Sequence, residues 1–163
     1  MNMLQDMLNS IRPVDQELQD KTQKRLDNLT KPPGSLGRLE ELARRYVTIT
    51  GNEYPKINKK DICIFAGDHG VVQEGVSAYP KEVTYQMVYN FLRGGAGINV
   101  LAGHAGAEVR VVDMGVDHIF EDAKGLIKKK IGMGTRNMAA GPAMSMEECM
   151  KALEAGIELA REA

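Results

Sequence analysis

Features that would announce a function by themselves are mostly missing from this sequence. Its two cysteines, Cys63 and Cys149, are too few for a disulfide framework and stand in no metal-ligand spacing, so both read as buried thiols. There is no Cys/His cluster, no HExxH and no nucleophile elbow, which removes zinc peptidases and serine hydrolases from consideration. Net charge is close to absent: 21 basic residues against 22 acidic ones leave −1, with no general electrostatic reason to expect nucleic acid or an anionic membrane as partner. Lys128-Lys129-Lys130 is the one basic run and reads as a solvated edge. No apolar run approaches the roughly 20 residues needed to span a bilayer. Met1 to Asp6 lacks a signal peptide's basic start and apolar middle, so a cytoplasmic protein is expected. Internal repeats and low-complexity segments are absent too.

What is present is an ordinary globular composition, 43% apolar and 26% charged in 163 residues, the size of one domain. Ile62 to Ala66 fill consecutive positions with apolar side chains and read as a strand buried on both faces. That strand stops abruptly at Gly67-Asp68-His69-Gly70. In open α/β sheets ligands sit outside the carboxyl ends of parallel strands, so an acid and an imidazole stand where a site is expected. Asp-His between glycines is equally the composition of an ordinary turn.

Before that strand, spacing predicts a helix over 13–29, with Val14, Leu18, Leu26 and Leu29 on one face and Pro13 in its first turn. A second helix is capped by Ser35, with Leu36, Leu39, Leu42, Ala43 and Tyr46 inward. After the strand, Ser77, Tyr79 and Pro80 lead into a helix with a buried stripe of Val83, Met87, Val88 and Phe91. Tyr79, Thr84 and Gln86 are left as candidates for the mouth beside the strand end. The glycine run Gly94 to Gly97 opens a further helix, about 96–105, with Ile98, Leu101 and Ala102 inward. Without the Lys-Ser/Thr of a phosphate loop, that run reads as tight packing rather than an anion site.

Glu108 to Met114 is a second strand, ending in Asp113, Asp117 and His118. A right-handed βαβ connection sets its end beside the first. Leu126 to Ile131 is a shorter third strand feeding a loop that holds Thr135, Arg136 and Asn137. Gly132-Met133-Gly134 has two glycines of a dinucleotide fingerprint, but no helix follows directly and no acid stands about 20 positions on, so that signal is weak. Ser145 and Glu148 form a capping box opening a helix with Met146, Cys149, Met150, Leu153 and Ile157 inward. Two or three parallel strands leave apolar edges and faces unmatched, as in part of a larger α/β fold.

Four segments carry a resemblance: KPPGSLGRLEELA (31–43), IFAGDHGVVQEGVSAYPKEVTYQMVYNFLRGGAGINVLA (64–102), VVDMGVD (111–117) and GTRNMAAGPAMS (134–145). Together they closely resemble the nicotinate-nucleotide:dimethylbenzimidazole phosphoribosyltransferase family. The resemblance implies a Rossmann-like parallel sheet with flanking helices and a small helical domain, in a homodimer. It places residues 1–60 in the small domain and 61–163 in the first portion of the α/β domain. It implies transfer of phosphoribose from nicotinate mononucleotide to 5,6-dimethylbenzimidazole, with inversion at C1′, and requires neither metal nor cofactor. By the same resemblance Ser77, Tyr79, Gln86 and Met87 belong to the aromatic-base pocket. Asp68 and His69 shape the strand-end site, and Thr135, Arg136 and Asn137 form the substrate-side loop. The family's phosphate-binding segment and its catalytic glutamate match nothing in these 163 residues, so no catalytic residue is assigned and the chain is expected to be a portion of the family's length. The alternative is a non-catalytic heterocycle-binding or assembly module.

Overall fold

The computed structural model describes residues 3–163. Among these residues, six α-helices and three strands follow in the order α1 (Met3–Ser10), α2 (Gln16–Asp27), α3 (Arg38–Thr50), β1 (Asp61–Gly67), α4 (Glu82–Leu92), α5 (Gly97–Ala105), β2 (Glu108–Gly115), β3 (Leu126–Lys128) and α6 (Met146–Glu162). They form two compact units, Leu8–Asn58 and Lys59–Ala163, the latter with the described part of Met1–Met7. No helix among the described residues is long and apolar enough to cross a membrane.

In the first unit α2 packs against α3. Asp15, not Pro13, starts α2: its carboxylate accepts the Leu18 N–H at 3.0 Å. Ser35 does not cap α3, whose N-cap is Gly37 at φ 52°. The Glu40 carboxylate reaches back to the Leu36 N–H at 3.1 Å and pairs with Lys31 at 2.7 Å. The inward face of α3 is therefore Glu40, Val47 and Thr48, while Leu39 and Leu42 are 64% and 50% exposed. The expected apolar face, Leu36, Leu39, Leu42 and Tyr46, is exposed, while on the side of α3 that meets α2 Arg44 bonds to Gln23 at 3.1 Å.

The second unit is an α/β arrangement around a parallel sheet of order β1-β2-β3. The β1–β2 register runs from Asp61↔Glu108 to Ala66↔Asp113 and then shifts, so that Gly67 lies opposite Gly115. Side chains alternate across a strand. Val109 and Val111 face α4, where Val88 is fully buried against Val111, Val116, Phe120 and Leu126. Burying a valine to this degree contributes about 1.5–3 kcal/mol. Arg110 and Met114 face the other way, toward α6: Arg110 pairs with Glu162 at 2.7 Å, and Met114 shares an apolar groove with Ala152 and Ile157.

Several expectations need correction here. β1 is not buried on both faces, because it is an edge strand: Phe65 is 51% exposed, and Cys63, like Cys149, is half-buried. Leu101 points outward from α5 and Ala102 inward, and α6 buries Ala155 and Leu159 while Met146 is exposed. The third strand is shorter than expected because Lys129 and Ile131 bond back to the carbonyls of Asp113 and Met114 outside the regular ladder. The lysine run is no solvated edge. Lys130 bonds to the carbonyl oxygens of Val116 and His118 and pairs with buried Asp113 at 3.1 Å, Lys129 pairs with Glu158, and Lys128 donates to Phe120 O.

Candidate functional site

β1 delivers Gly67, Asp68 and His69 to a point where three connections meet. The Asp68 N–H donates to Gly115 O at 3.0 Å, the Thr135 N–H to Asp68 O at 2.9 Å, and the Gly70 N–H to Thr135 O at 3.0 Å. These bonds tie the loop after β1 to the end of β2 and to the loop after β3. The approach is close enough to demand glycine twice. Gly134 takes φ 85° with little room for a side chain against Asp68 O, and Gly70 lies directly on the backbone of Arg136 and Asn137. Asn137 Nδ2 closes the same seam by donating to Glu74 Oε1 at 2.6 Å.

The seam separates two clefts that share Gly67, Asp68 and His69 as a wall. The larger, about 450 Å³, lies on the α4 side and has the size of a small-molecule site. Its apolar lining is Val76, Tyr79, Val83 and Met87, and its polar groups are Asp68, Ser77, Lys81 and Thr84. The Ser77 hydroxyl donates to Tyr79 O at 2.9 Å and accepts the Tyr79 N–H at 3.2 Å, which sets the turn presenting the exposed phenol ring. Asp68 is almost fully buried, and its Oδ2 accepts the Asp117 N–H at 2.7 Å. Asp117 in turn pairs with Lys81, and that hydrogen bond raises the Lys81 pKa above the ordinary lysine value.

The smaller cleft, about 160 Å³, is lined by Met114, Gly132, Thr135, Arg136, Met144 and Glu148 besides the shared wall. Arg136 Nε donates to Pro142 O at 3.1 Å, and its guanidinium stands 3.6 Å from the Glu148 carboxylate. Glu148 also accepts the Ser145 N–H at 2.6 Å; this bond first, and then the Ser145 hydroxyl and Arg136, hold its carboxyl below the usual glutamate value.

Of the residues singled out from sequence, Asp68, His69, Ser77, Tyr79 and Met87 line the larger cleft, and Asp68, His69, Thr135 and Arg136 the smaller. Thr84 also lines the larger one. Gln86 does not: it is exposed on the adjacent side of α4, since 83, 84 and 87 share a helical face that excludes 86. Asn137 sits in the seam, bonded to Glu74. Of the acids and imidazole ending β2, Asp117 alone reaches the site. Asp113 is bonded to the Val116 N–H, and His118 stacks on Tyr85 with ring centroids 4.4 Å apart. Lys81 was not among the expected residues. Its only sequence signal is its place between Pro80 and the first turn of α4.

Comparison with known proteins adds the following. A family model described as phosphoribosyltransferase matches residues 11–163. The nicotinate-nucleotide–dimethylbenzimidazole phosphoribosyltransferase of Geobacter sulfurreducens is 65% identical over 163 residues, which is all of this chain and 46% of the relative. The enzyme of that name from Geobacter metallireducens is 66% identical over 160 residues, 98% of this chain and 45% of the relative. A crystal structure of nicotinate-nucleotide-dimethylbenzimidazole phosphoribosyltransferase from Thermus thermophilus superposes with TM-score 0.85 at 51% identity, covering 91% of this chain and 45% of that one. The chain thus spans a little under half the length of the curated relatives it matches.

Proposed function

Because the chain belongs to the nicotinate-nucleotide–dimethylbenzimidazole phosphoribosyltransferase family, we propose that it carries the aromatic-base side of that family's reaction. In that reaction phosphoribose moves from nicotinate mononucleotide to 5,6-dimethylbenzimidazole, giving α-ribazole 5′-phosphate and nicotinate for the nucleotide loop of cobalamin. The supporting observation is the larger cleft, whose apolar walls and few polar handles at a strand's carboxyl end suit a flat heterocycle. Tyr79 and Met87 are its walls. Asp68 and Ser77 shape its floor and rim, and His69 stands on the wall shared with the smaller cleft. Thr135 and Arg136 offer a hydroxyl and a cation to the second substrate, while Asn137 holds their loop in place.

Gln86 enters this reading only as a rim contact, since it lies outside the cleft lining. The general base and the phosphate cradle belong to the part of the relatives' length that this chain does not span. In the whole protein, residues 1–60 contribute to a small helical domain and 61–163 begin the Rossmann-like domain of a cytoplasmic homodimer. The alternative reading, a heterocycle-binding or assembly module without catalysis, would use the same cleft to bind the base without turnover. Chemical-shift mapping with 5,6-dimethylbenzimidazole tests the assignment of the cleft. Shifts are expected along Ser77 to Met87, and Tyr79→Ala should weaken binding by about 1–3 kcal/mol, the scale of a well-packed aromatic contact. Shifts confined to residues 13–50, or an affinity indifferent to Tyr79, would remove the cleft from the site.

A further inference from the structure

The turn that ends β2 is held by a residue that lines neither cleft. Side chains alternate along β2, so Asp113 points to the same face as Val109 and Val111, the face joined by the β2–β3 connection through Val116 and Phe120. Asp113 is buried, and a buried carboxylate has to be met by a cation and by hydrogen bonds. Its Oδ1 accepts the Val116 N–H at 2.9 Å, and its Oδ2 stands 3.1 Å from Lys130 Nζ. The same ammonium donates to Val116 O and, at 2.8 Å, to His118 O, and it lies 5.7 Å from the centroid of the Phe120 ring. An ammonium has three protons to give, and here three acceptors of one turn surround it. Lys130 arrives there because the chain after β3 stays beside β2: the Lys129 N–H donates to Asp113 O at 3.0 Å and the Ile131 N–H to Met114 O at 2.9 Å.

Val116 O and the Asp117 N–H belong to one peptide group. In a planar trans peptide the two point opposite ways, so a cation that fixes the oxygen on one side also aims the N–H on the other. That N–H donates to Asp68 Oδ2 at 2.7 Å. The peptide therefore stands in series between the Lys130 ammonium and the Asp68 carboxylate, and hydrogen bonds joined in this way strengthen one another. The Asp68 backbone is already tied by its N–H to Gly115 O and by its carbonyl to the Thr135 N–H. What the Asp117 N–H adds is the direction of the side chain, which lines both clefts. The Asp117 carboxylate, carried on the same stretch, pairs with Lys81 in the lining of the larger cleft.

We propose that Lys130 is a positioning residue for the larger cleft: held against Asp113, it turns the Val116–Asp117 peptide so that the N–H fixes the Asp68 carboxylate and the Asp117 side chain holds Lys81. This rests on the reading of that cleft as a heterocycle site and deepens it, adding a residue outside the lining on which binding depends. Lys130 touches no ligand in this role. It acts through the end of β2.

The experiment follows the Asp117 amide signal by nuclear magnetic resonance and the affinity for 5,6-dimethylbenzimidazole on the 163-residue chain and its variants. In the unsubstituted chain the Asp117 amide proton lies downfield, drawn there by its short bond to a carboxylate, and exchanges slowly. Lys130→Met moves the signal upfield; exchange becomes about tenfold faster and heterocycle binding about tenfold weaker, the scale of one lost charge-assisted hydrogen bond. Lys130→Arg, whose guanidinium has donors for the same three acceptors, restores the signal and brings the affinity back to within about threefold. Lys124→Met, at an exposed position of the same connection, changes neither. Stability is separated from positioning by combining Lys130→Met with Asp113→Asn. That pair leaves no unpaired buried charge, so the urea midpoint returns toward that of the unsubstituted chain while the Asp117 signal and the affinity do not. Four results would overturn the proposal: a signal or an affinity indifferent to Lys130→Met, an affinity that recovers with the midpoint in the double variant, losses in Lys130→Arg as large as in Lys130→Met, or equal losses in Lys124→Met. If dimethylbenzimidazole does not bind even the unsubstituted chain, the reading of the cleft fails, and the Asp117 signal by itself decides whether Lys130 sets the turn.

Discussion

A methyl group on Gly70 would come within 2.5 Å of Asn137 N and 2.6 Å of the Arg136 carbonyl carbon, backbone atoms that cannot swing aside. Gly70→Ala should therefore push the loops after β1 and β3 apart and cost about 1–3 kcal/mol, the usual scale of overpacking, read as a lower urea midpoint at unchanged slope. The loss should be accompanied by faster exchange of the Thr135 N–H, which has only Asp68 O to hold it. An unshifted midpoint would show that the seam gives way easily. At this scale the sequence was legible where chemistry sits next to a strand end. Asp68, His69, Tyr79 and Met87 stand out because polar and aromatic residues follow an apolar run without transition. The pair Lys81 and Asp117 was not legible. The two stand 36 positions apart across helix, turn and strand, and no local pattern links a lysine before one helix to an aspartate after a distant strand.

Among the elements, α6 is the one whose start could be read from sequence and whose cap can be tested. Ser145 and Glu148 satisfy each other's backbone N–H groups at 2.6 and 3.2 Å, so Ser145→Ala should cost about 0.5–2 kcal/mol by thermal or urea unfolding. The cap also has a pH signature. The Glu148 carboxyl is held below its ordinary value of 4.5, chiefly by the Ser145 N–H, so its stabilising contribution is complete above that value and is lost as pH falls through the lower folded value. Unfolding of Glu148→Gln, which removes the titrating carboxyl, should accordingly depend less on pH on the acid side, whereas Ser145→Ala keeps the N–H that does most of the holding; an acid limb in Glu148→Gln identical to that of the unsubstituted chain would count against the cap. The same kind of reading failed for α3. Helical spacing of Leu36, Leu39, Leu42 and Tyr46 specifies an apolar stripe, but a stripe alone does not say which neighbour covers it. On the side that meets α2, Arg44 bonds to Gln23, and buried Glu40 pairs with Lys31 in the connection between the two helices; ionic and hydrogen-bonded contacts of this kind leave no trace in hydrophobic periodicity.

For the whole molecule, the 163-residue chain by itself should not transfer phosphoribose at a useful rate. Both carboxylates lining its clefts are already engaged, Asp68 by the Asp117 N–H and Glu148 by its helix cap. A positioned base contributes about 100- to 10,000-fold, and one displaced by about 1 Å forfeits roughly 100-fold. Labelled nicotinate should be released from nicotinate mononucleotide and dimethylbenzimidazole only after the remainder of a relative is supplied. Turnover by the short chain, abolished in His69→Ala, would instead make the exposed imidazole the base. The α/β class and the order of elements from α2 onward were legible, because a short continuous apolar run marks β1 and helical spacing marks the helices; α1, Met3–Ser10, was not expected from the sequence. The parallel pairing itself has a kinetic consequence. Asp61 meets Glu108 and Val111 meets Leu126, so no two strands are joined by a hairpin and the first ladder must close a loop containing both α4 and α5. Non-local closure has to be completed before any sheet hydrogen bond rewards it, which slows folding relative to local helix formation. Refolding should therefore show helical signal well ahead of sheet formation, with the apolar edge of β1 exposed throughout the interval, and the yield of native chain should fall as protein concentration rises.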